Sequence, residues 1–197
     1  MDLATKHKEQ GNAAYAKGER ERAVECFQEG VEVLERLMLK ALSHPPERDA
    51  ETRKLLAVCY ANCAAARMLV VERGEERDLK AALEDAEKAI KTDPTYAKAY
   101  TRLSRAHESL GNAYEAQEAL VRGLRLKDLN KHYGLADHLL LLQTNDKGLA
   151  SLTSIDAFDA WLNSMLVDDK ETAVLMKDLG GAWQQRCDEY RKSIAST

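Results

Sequence analysis

Lys8 and Asn12 stand four residues apart, Lys98 and Arg102 do the same, and Asn62 falls between the two pairs. On a helix, a spacing of four puts both members of a pair on one face. An ammonium is a compact point charge, a guanidinium is a planar fork, and a carboxamide is a neutral donor. Three cations and two amides brought together call for an anionic partner. A peptide C-terminus ending in aspartate offers two carboxylates close together, which such a set can grip. Charge-assisted hydrogen bonds are worth about 1.5–3 kcal/mol each. A few of them would anchor a short extended peptide at micromolar affinity, about −8 kcal/mol.

Helices must position these residues, and the composition allows little else. The chain has 197 residues, 45% hydrophobic and 31% charged, with only three prolines and few aromatics. Alternating runs of strand-favouring residues are missing, so an all-α fold is expected. The formal net charge of −4 and the lack of a long basic tract argue against nucleic acid as a partner. No apolar run approaches a membrane span, and the polar Met1–Gln10 segment does not read as a secretory signal. Cys26, Cys59, Cys63 and Cys187 form no CxxC pair and no zinc-type set with His7, His44, His107, His132 or His138. The cysteines read as small packing residues suited to a reducing compartment. Phosphate loops, GxSxG, HExxH and EF-hand runs are absent from the sequence, so no catalytic residue, cofactor, metal or small-molecule substrate is expected.

Small residues recur at fixed steps. Gly11, Ala23, Phe27 and Gly30 are separated by 12, 4 and 3 residues, and so are Ser104, Ala116, Leu120 and Gly123. Ala82, Ala86 and Ala89 repeat the 4 and 3 steps, and Ala82 to Ala116 is 34 residues, the length of a tetratricopeptide repeat (TPR). In such a repeat two antiparallel helices approach closely at the small residues, and larger ones such as Phe27 and Leu120 fill the gap. Asp93-Pro94 marks the boundary between the second and third repeats. Gly11 to its equivalent Ala64 is 53 residues, 19 more than one period. This predicts an extended helix from Val24 to Leu42, a break at Ser43-His44-Pro45-Pro46, and helix again from Glu47 to Val71. A second insertion is expected near Arg73-Gly74-Glu75-Glu76.

Three repeats forming a right-handed superhelix are therefore expected, followed by a capping helix over Asn130–Gln143. Residues 3–143 form the expected repeat domain, and 144–197 a C-terminal helical extension. Thr153 and Asp156 have capping-box spacing, and two helices are expected at roughly 154–167 and 169–194. Apolar stripes at Trp161, Leu162, Met165 and Leu166, and at Val174, Leu175, Leu179, Trp183 and Tyr190, suit docking within the chain first and self-association second.

Lys8-Glu9-Gln10-Gly11-Asn12 resembles the opening of TPR domains in chaperone-binding co-chaperones. That family includes the Hsp-organizing protein, the chaperone-associated U-box ubiquitin ligase and the TPR-containing phosphatase. Its pattern is Lys-x3-Asn on the first A helix, Asn on the second and Lys-x3-Arg on the third. Lys8, Asn12, Asn62, Lys98 and Arg102 match it, and the resemblance covers residues 3 to about 143. It implies a two-carboxylate clamp for the Glu-Glu-Val-Asp tail of cytosolic heat-shock chaperones of the seventy- or ninety-kilodalton class. Tyr15 and Ala65, one turn along the same faces, are expected either to pack as plain core or to flank a pocket for the tail's valine, with Tyr100 and Arg105 as further candidates for contact with the peptide. The implied protein is a cytoplasmic adaptor and not an enzyme. A general TPR interaction scaffold, or the regulatory fragment of a larger enzyme, remain open as alternatives.

Overall fold

The computed structural model describes residues 2–39, 46–69 and 76–146, and then 154–156, 158–160, 179 and 181–195. All regular structure among these residues is helical. Two compact units divide at Asn112/Ala113.

The first unit holds α1 (Asp2–Ala16), α2 (Arg20–Leu39), α3 (Pro46–Arg67), α4 (Glu76–Thr92) and α5 (Ala97–Ser109). Each helix packs on the next in sequence, and α3 also touches both α1 and α5. The odd-numbered helices therefore lie side by side. Alanine makes this closeness possible: Ala4, Ala23, Ala57, Ala64, Ala82, Ala86, Ala89 and Ala99 are fully buried. The α1–α2 turn closes through Gly18 at φ 75°, which follows α1 in the left-handed region. Its amide donates to the Tyr15 carbonyl at 3.0 Å, and the Glu19 amide donates to the Ala14 carbonyl at 3.0 Å. Between α4 and α5, Asp93 Oδ1 accepts from the Thr95 amide at 3.0 Å and the Thr95 hydroxyl at 2.7 Å. This side-chain turn and Pro94 end the helix at the expected boundary.

Both ends of α3 differ from the sequence reading. Pro46 begins α3 instead of closing a loop, as proline can in a first helical turn. α3 ends at Arg67, not Val71: Leu69 donates to the Ala66 carbonyl at 3.1 Å in a tightened turn, and Arg20 Nε donates to the Arg67 carbonyl at 3.4 Å. α2 is helical to Leu39, and the expected break at 43–45 lies outside the described residues, as does the insertion near 73–75. Behind the odd-numbered helices, Arg67 pairs with Asp85 at 2.8 Å with both side chains mostly buried. Arg20 pairs with Asp78, and Tyr60 donates to Glu35.

The second unit holds α6 (Ala113–Leu124), α7 (Tyr133–Asp146) and α8 (Ala182–Ala195). α7 packs on both others. Leu135, Ala136, Leu139 and Leu140 of α7 are buried. The expected helix over 169–194 is not continuous, because Leu179 is non-helical and Gly181 turns at φ 56°. The Ala182 amide donates to the Asn130 carbonyl at 3.0 Å, and a Cβ on Gly181 would sit 2.6 Å from that same oxygen. Leu179 and Trp183 are buried, and the Tyr190 ring lies 4.8 Å from that of Phe158, centroid to centroid. Arg186 pairs with Asp137 at 2.8 Å and Arg191 with Asp159 at 2.7 Å. The described part of the C-terminal stripe is thus consumed within its own unit. Trp161 to Val174, Leu175 and the Thr153 cap lie outside the described residues.

Candidate functional site

Three odd-numbered helices of the first unit carry the candidate residues. α1 supplies Lys8, Asn12 and Tyr15, α3 supplies Asn62 and Ala65, and α5 supplies Lys98, Arg102 and Arg105. A cavity of about 170 Å³ is bordered by Asn12, Tyr15, Phe27, Asn62, Ala65 and Arg102. A second, of about 330 Å³, is bordered by Tyr15, Ala65, Met68, Leu69, Arg102, Arg105, Glu108 and Ser109. Tyr15, Ala65 and Arg102 belong to both, so the two form neighbouring parts of one groove.

The two amides are already joined. Asn62 Nδ2 donates to Asn12 Oδ1 at 3.2 Å, linking α1 to α3. That bond uses one hydrogen of Asn62 and one lone pair of Asn12 Oδ1, so both Nδ2 hydrogens of Asn12 and one of Asn62 remain to be offered to an acceptor.

Arg102 completes the cavity from α5. The other half-buried arginines of this unit, Arg20 and Arg67, each meet a carboxylate. Arg102 has no carboxylate partner among the described residues. Burial pushes its pKa down, and the nearby Arg105 guanidinium adds to this, against the opposing influence of Tyr15 and Tyr96. A partly desolvated, uncompensated charge is costly in the free protein, and an oxyanion would relieve it. Lys8, Lys98 and Arg105 likewise lack a described carboxylate within ion-pair distance.

The sequence-derived residues are not equivalent in space. Asn12, Asn62, Arg102, Tyr15 and Ala65 border the smaller cavity, and Arg105 borders the larger. Lys8 and Lys98 border neither: each stands one helical turn before its partner, Lys8 half-buried and Lys98 exposed. Lys8 lies close enough to Cys59 to oppose the burial that pushes this thiol up to about 11. Tyr100 is not a surface contact. It is 2% exposed, and its hydroxyl donates to the Pro94 carbonyl at 3.0 Å. All four cysteines are buried and free. No group of metal-ligating side chains occurs among the described residues.

Sequence reading missed Phe27, Met68, Leu69, Glu108 and Ser109 as lining residues. Phe27 had a signal, since the 12, 4, 3 pattern places it in register with Gly11. The pattern marks a packing partner without showing that the ring reaches a cavity.

Residues 97–128 match the tetratricopeptide repeat family. The Hsp70-Hsp90 organizing protein of Triticum aestivum is 33% identical over 137 residues, covering 68% of this chain and 19% of that protein. The mitochondrial import receptor subunit TOM70 of Rattus norvegicus is 28% identical over 144 residues, covering 72% and 20%. The chain thus spans about a fifth of the length of these curated relatives. Among solved structures, the first TPR of Spaghetti (RPAP3), bound to the HSP90 peptide SRMEEVD, superposes with a TM-score of 0.50 at 22% identity. It covers 76% of this chain and 98% of its own, and the likeness speaks to the helical fold. Among the described residues, no helix is long and apolar enough to cross a membrane.

Proposed function

With a chain that carries a tetratricopeptide repeat at residues 97–128 as the premise, we propose that the protein is a co-chaperone-type adaptor. It binds the C-terminal Glu-Glu-Val-Asp tail of a cytosolic heat-shock chaperone of the seventy- or ninety-kilodalton class. Residues 3–143 form the binding domain, 144–197 a helical extension, and the setting is cytoplasmic. Asn12, Asn62 and Arg102 hold the terminal carboxylate and the last aspartate side chain at the rim of the smaller cavity. Lys8 and Lys98 add charge from one turn away. Tyr15 and Ala65 flank the penultimate valine, and Arg105 meets the peptide farther along the groove.

The observation that carries this reading is the convergence of Asn12, Asn62 and Arg102 on one cavity, with Arg102 half-buried and without a described carboxylate. The 33% identity to an Hsp70-Hsp90 organizing protein supports the same reading. The test is a titration with a peptide ending in Glu-Glu-Val-Asp, once with a free C-terminus and once amidated. Micromolar binding of the free form, largely lost on amidation, is the expected result. Equal binding of the two forms would remove the clamp.

A second reading has its own support in the 28% identity to an import receptor subunit. The same groove would then serve a receptor in mitochondrial import. Fractionation of cells expressing the full-length protein separates the two: membrane recovery favours the receptor, soluble recovery the adaptor.

A further inference from the structure

The larger cavity takes apolar side chains from the end of α3, where Met68 and Leu69 border it, both half-buried. Backbone carbonyls at a helix end have no partner within the helix. The last one of α3, that of Arg67, accepts from Arg20 Nε at 3.4 Å. Another nitrogen of the same guanidinium pairs with Asp78 in the first turn of α4. Arg20 itself opens α2 just after the Gly18 turn, and its amide donates to the Gly18 carbonyl at 2.9 Å. One side chain thus joins the start of α2, the end of α3 and the start of α4. The Arg20 and Asp78 side chains are 23% and 24% exposed, so this is not a solvated surface pair. Arg20 borders neither cavity.

The Met68 amide donates to the Ala64 carbonyl at 3.3 Å and the Leu69 amide to the Ala66 carbonyl at 3.1 Å. Those bonds shape the last turn of α3 but do not fix where it stands against its neighbours. The Arg67 side chain fastens to Asp85, farther along α4, which leaves the carbonyl end to Arg20. We infer that Arg20 is a positioning residue for the groove: its bridge from Asp78 to the Arg67 carbonyl holds Met68 and Leu69 where an extended peptide, gripped at its end by the smaller cavity, passes them. This rests on the tail-binding reading above. A guanidinium suits the task, because its planar fork offers donors in two fixed directions, whereas an ammonium is a single point. Loosening the bridge leaves Asn12, Asn62 and Arg102 in place, since they stand within their helices and away from this end. Only the contacts farther along the peptide change.

The experiment titrates the full chain with Glu-Glu-Val-Asp alone and with the same tail preceded by three alanines, leucine replacing each alanine in turn. On wild type, leucine at one of these positions should strengthen binding about tenfold, and in Arg20→Lys that gain should fall to about threefold or less, on the scale of an apolar side chain in a well-formed or a displaced pocket. Glu-Glu-Val-Asp alone should bind Arg20→Lys as it binds wild type. Asp78→Ala reaches the same bridge from α4 and should give the same selective loss, so the test does not depend on one variant. Circular dichroism confirms that each variant is folded. An undiminished leucine gain in either folded variant would overturn the inference. An equal loss for every peptide would overturn it as well, since Arg20 would then serve the fold alone, and so would the absence of any leucine gain on wild type. In each of these cases the clamp still stands if amidation of the four-residue tail weakens binding. Equal binding of the free and amidated tails on wild type would fell the clamp and this inference with it.

Discussion

Replacing Arg102 by Met separates recognition from folding. Met keeps a similar unbranched stem, so the half-buried space beside Tyr15 and Ala65 stays filled. The guanidinium is lost. A fork bound to a carboxylate makes two charge-assisted hydrogen bonds, each worth about 1.5–3 kcal/mol. The groove is open, so solvent takes part of that, and a net loss of about 2–3 kcal/mol is expected. That is a weakening of about 30- to 150-fold. Stability should move differently. Arg102 meets no described carboxylate, and both its burial and Arg105 oppose its charge in the free protein. Arg102→Met should therefore leave the unfolding free energy unchanged or raise it, with no loss beyond about 0.5 kcal/mol. Isothermal titration with the free-ended tail peptide reads the first quantity, and urea denaturation followed by circular dichroism reads the second. Near-wild-type peptide affinity, or a protein that unfolds readily, would refute the assignment of Arg102 as an anion grip held ready at a structural cost.

Gly18 and Gly181 both sit at positive φ, but only Gly181 also faces an obstruction, the Asn130 carbonyl. Gly18→Ala should cost about 1 kcal/mol from backbone strain alone, and Gly181→Ala should cost clearly more, by urea denaturation of each variant. Arg67→Ala leaves Asp85 buried without its partner and should destabilise by about 3–5 kcal/mol, measured the same way. The Cys59 thiol is pushed from 9.0 up to about 11 by burial, so its neutral form is favoured in the folded state. Its contribution is fully present below pH 9.0 and is lost as pH rises toward 11, at a cost of up to about 3 kcal/mol. Cys59→Ala should flatten the alkaline limb of a stability–pH curve by that amount.

The parts of the site set by local spacing were legible in the sequence. A separation of four residues on a helix fixes a shared face, so Lys8 with Asn12 and Lys98 with Arg102 were readable as pairs. The 34-residue step identified the repeat, and Asp93-Pro94 located the α4–α5 turn because proline cannot extend a helix. What depended on neighbouring elements was not legible. Phe27 reaches the cavity only because Gly11, on another helix, lets its ring come close. Tyr100 shares the helix of Lys98 and Arg102 but turns into the core, where the Pro94 carbonyl takes its hydroxyl. The last carbonyl of α3 is met by Arg20, a residue 47 positions away. The break at Gly181 did carry a signal, the Gly180-Gly181 pair, which the helical period of the flanking apolar residues outweighed.

The Gly11–Phe27 contact also restricts how this surface can change over generations. Any heavier residue at position 11 demands a trimmed partner at position 27, and a trimmed partner deepens the space beneath the amides. Positions 11 and 27 should therefore covary wherever this helix pair is kept, a heavier residue at one matched by a lighter one at the other.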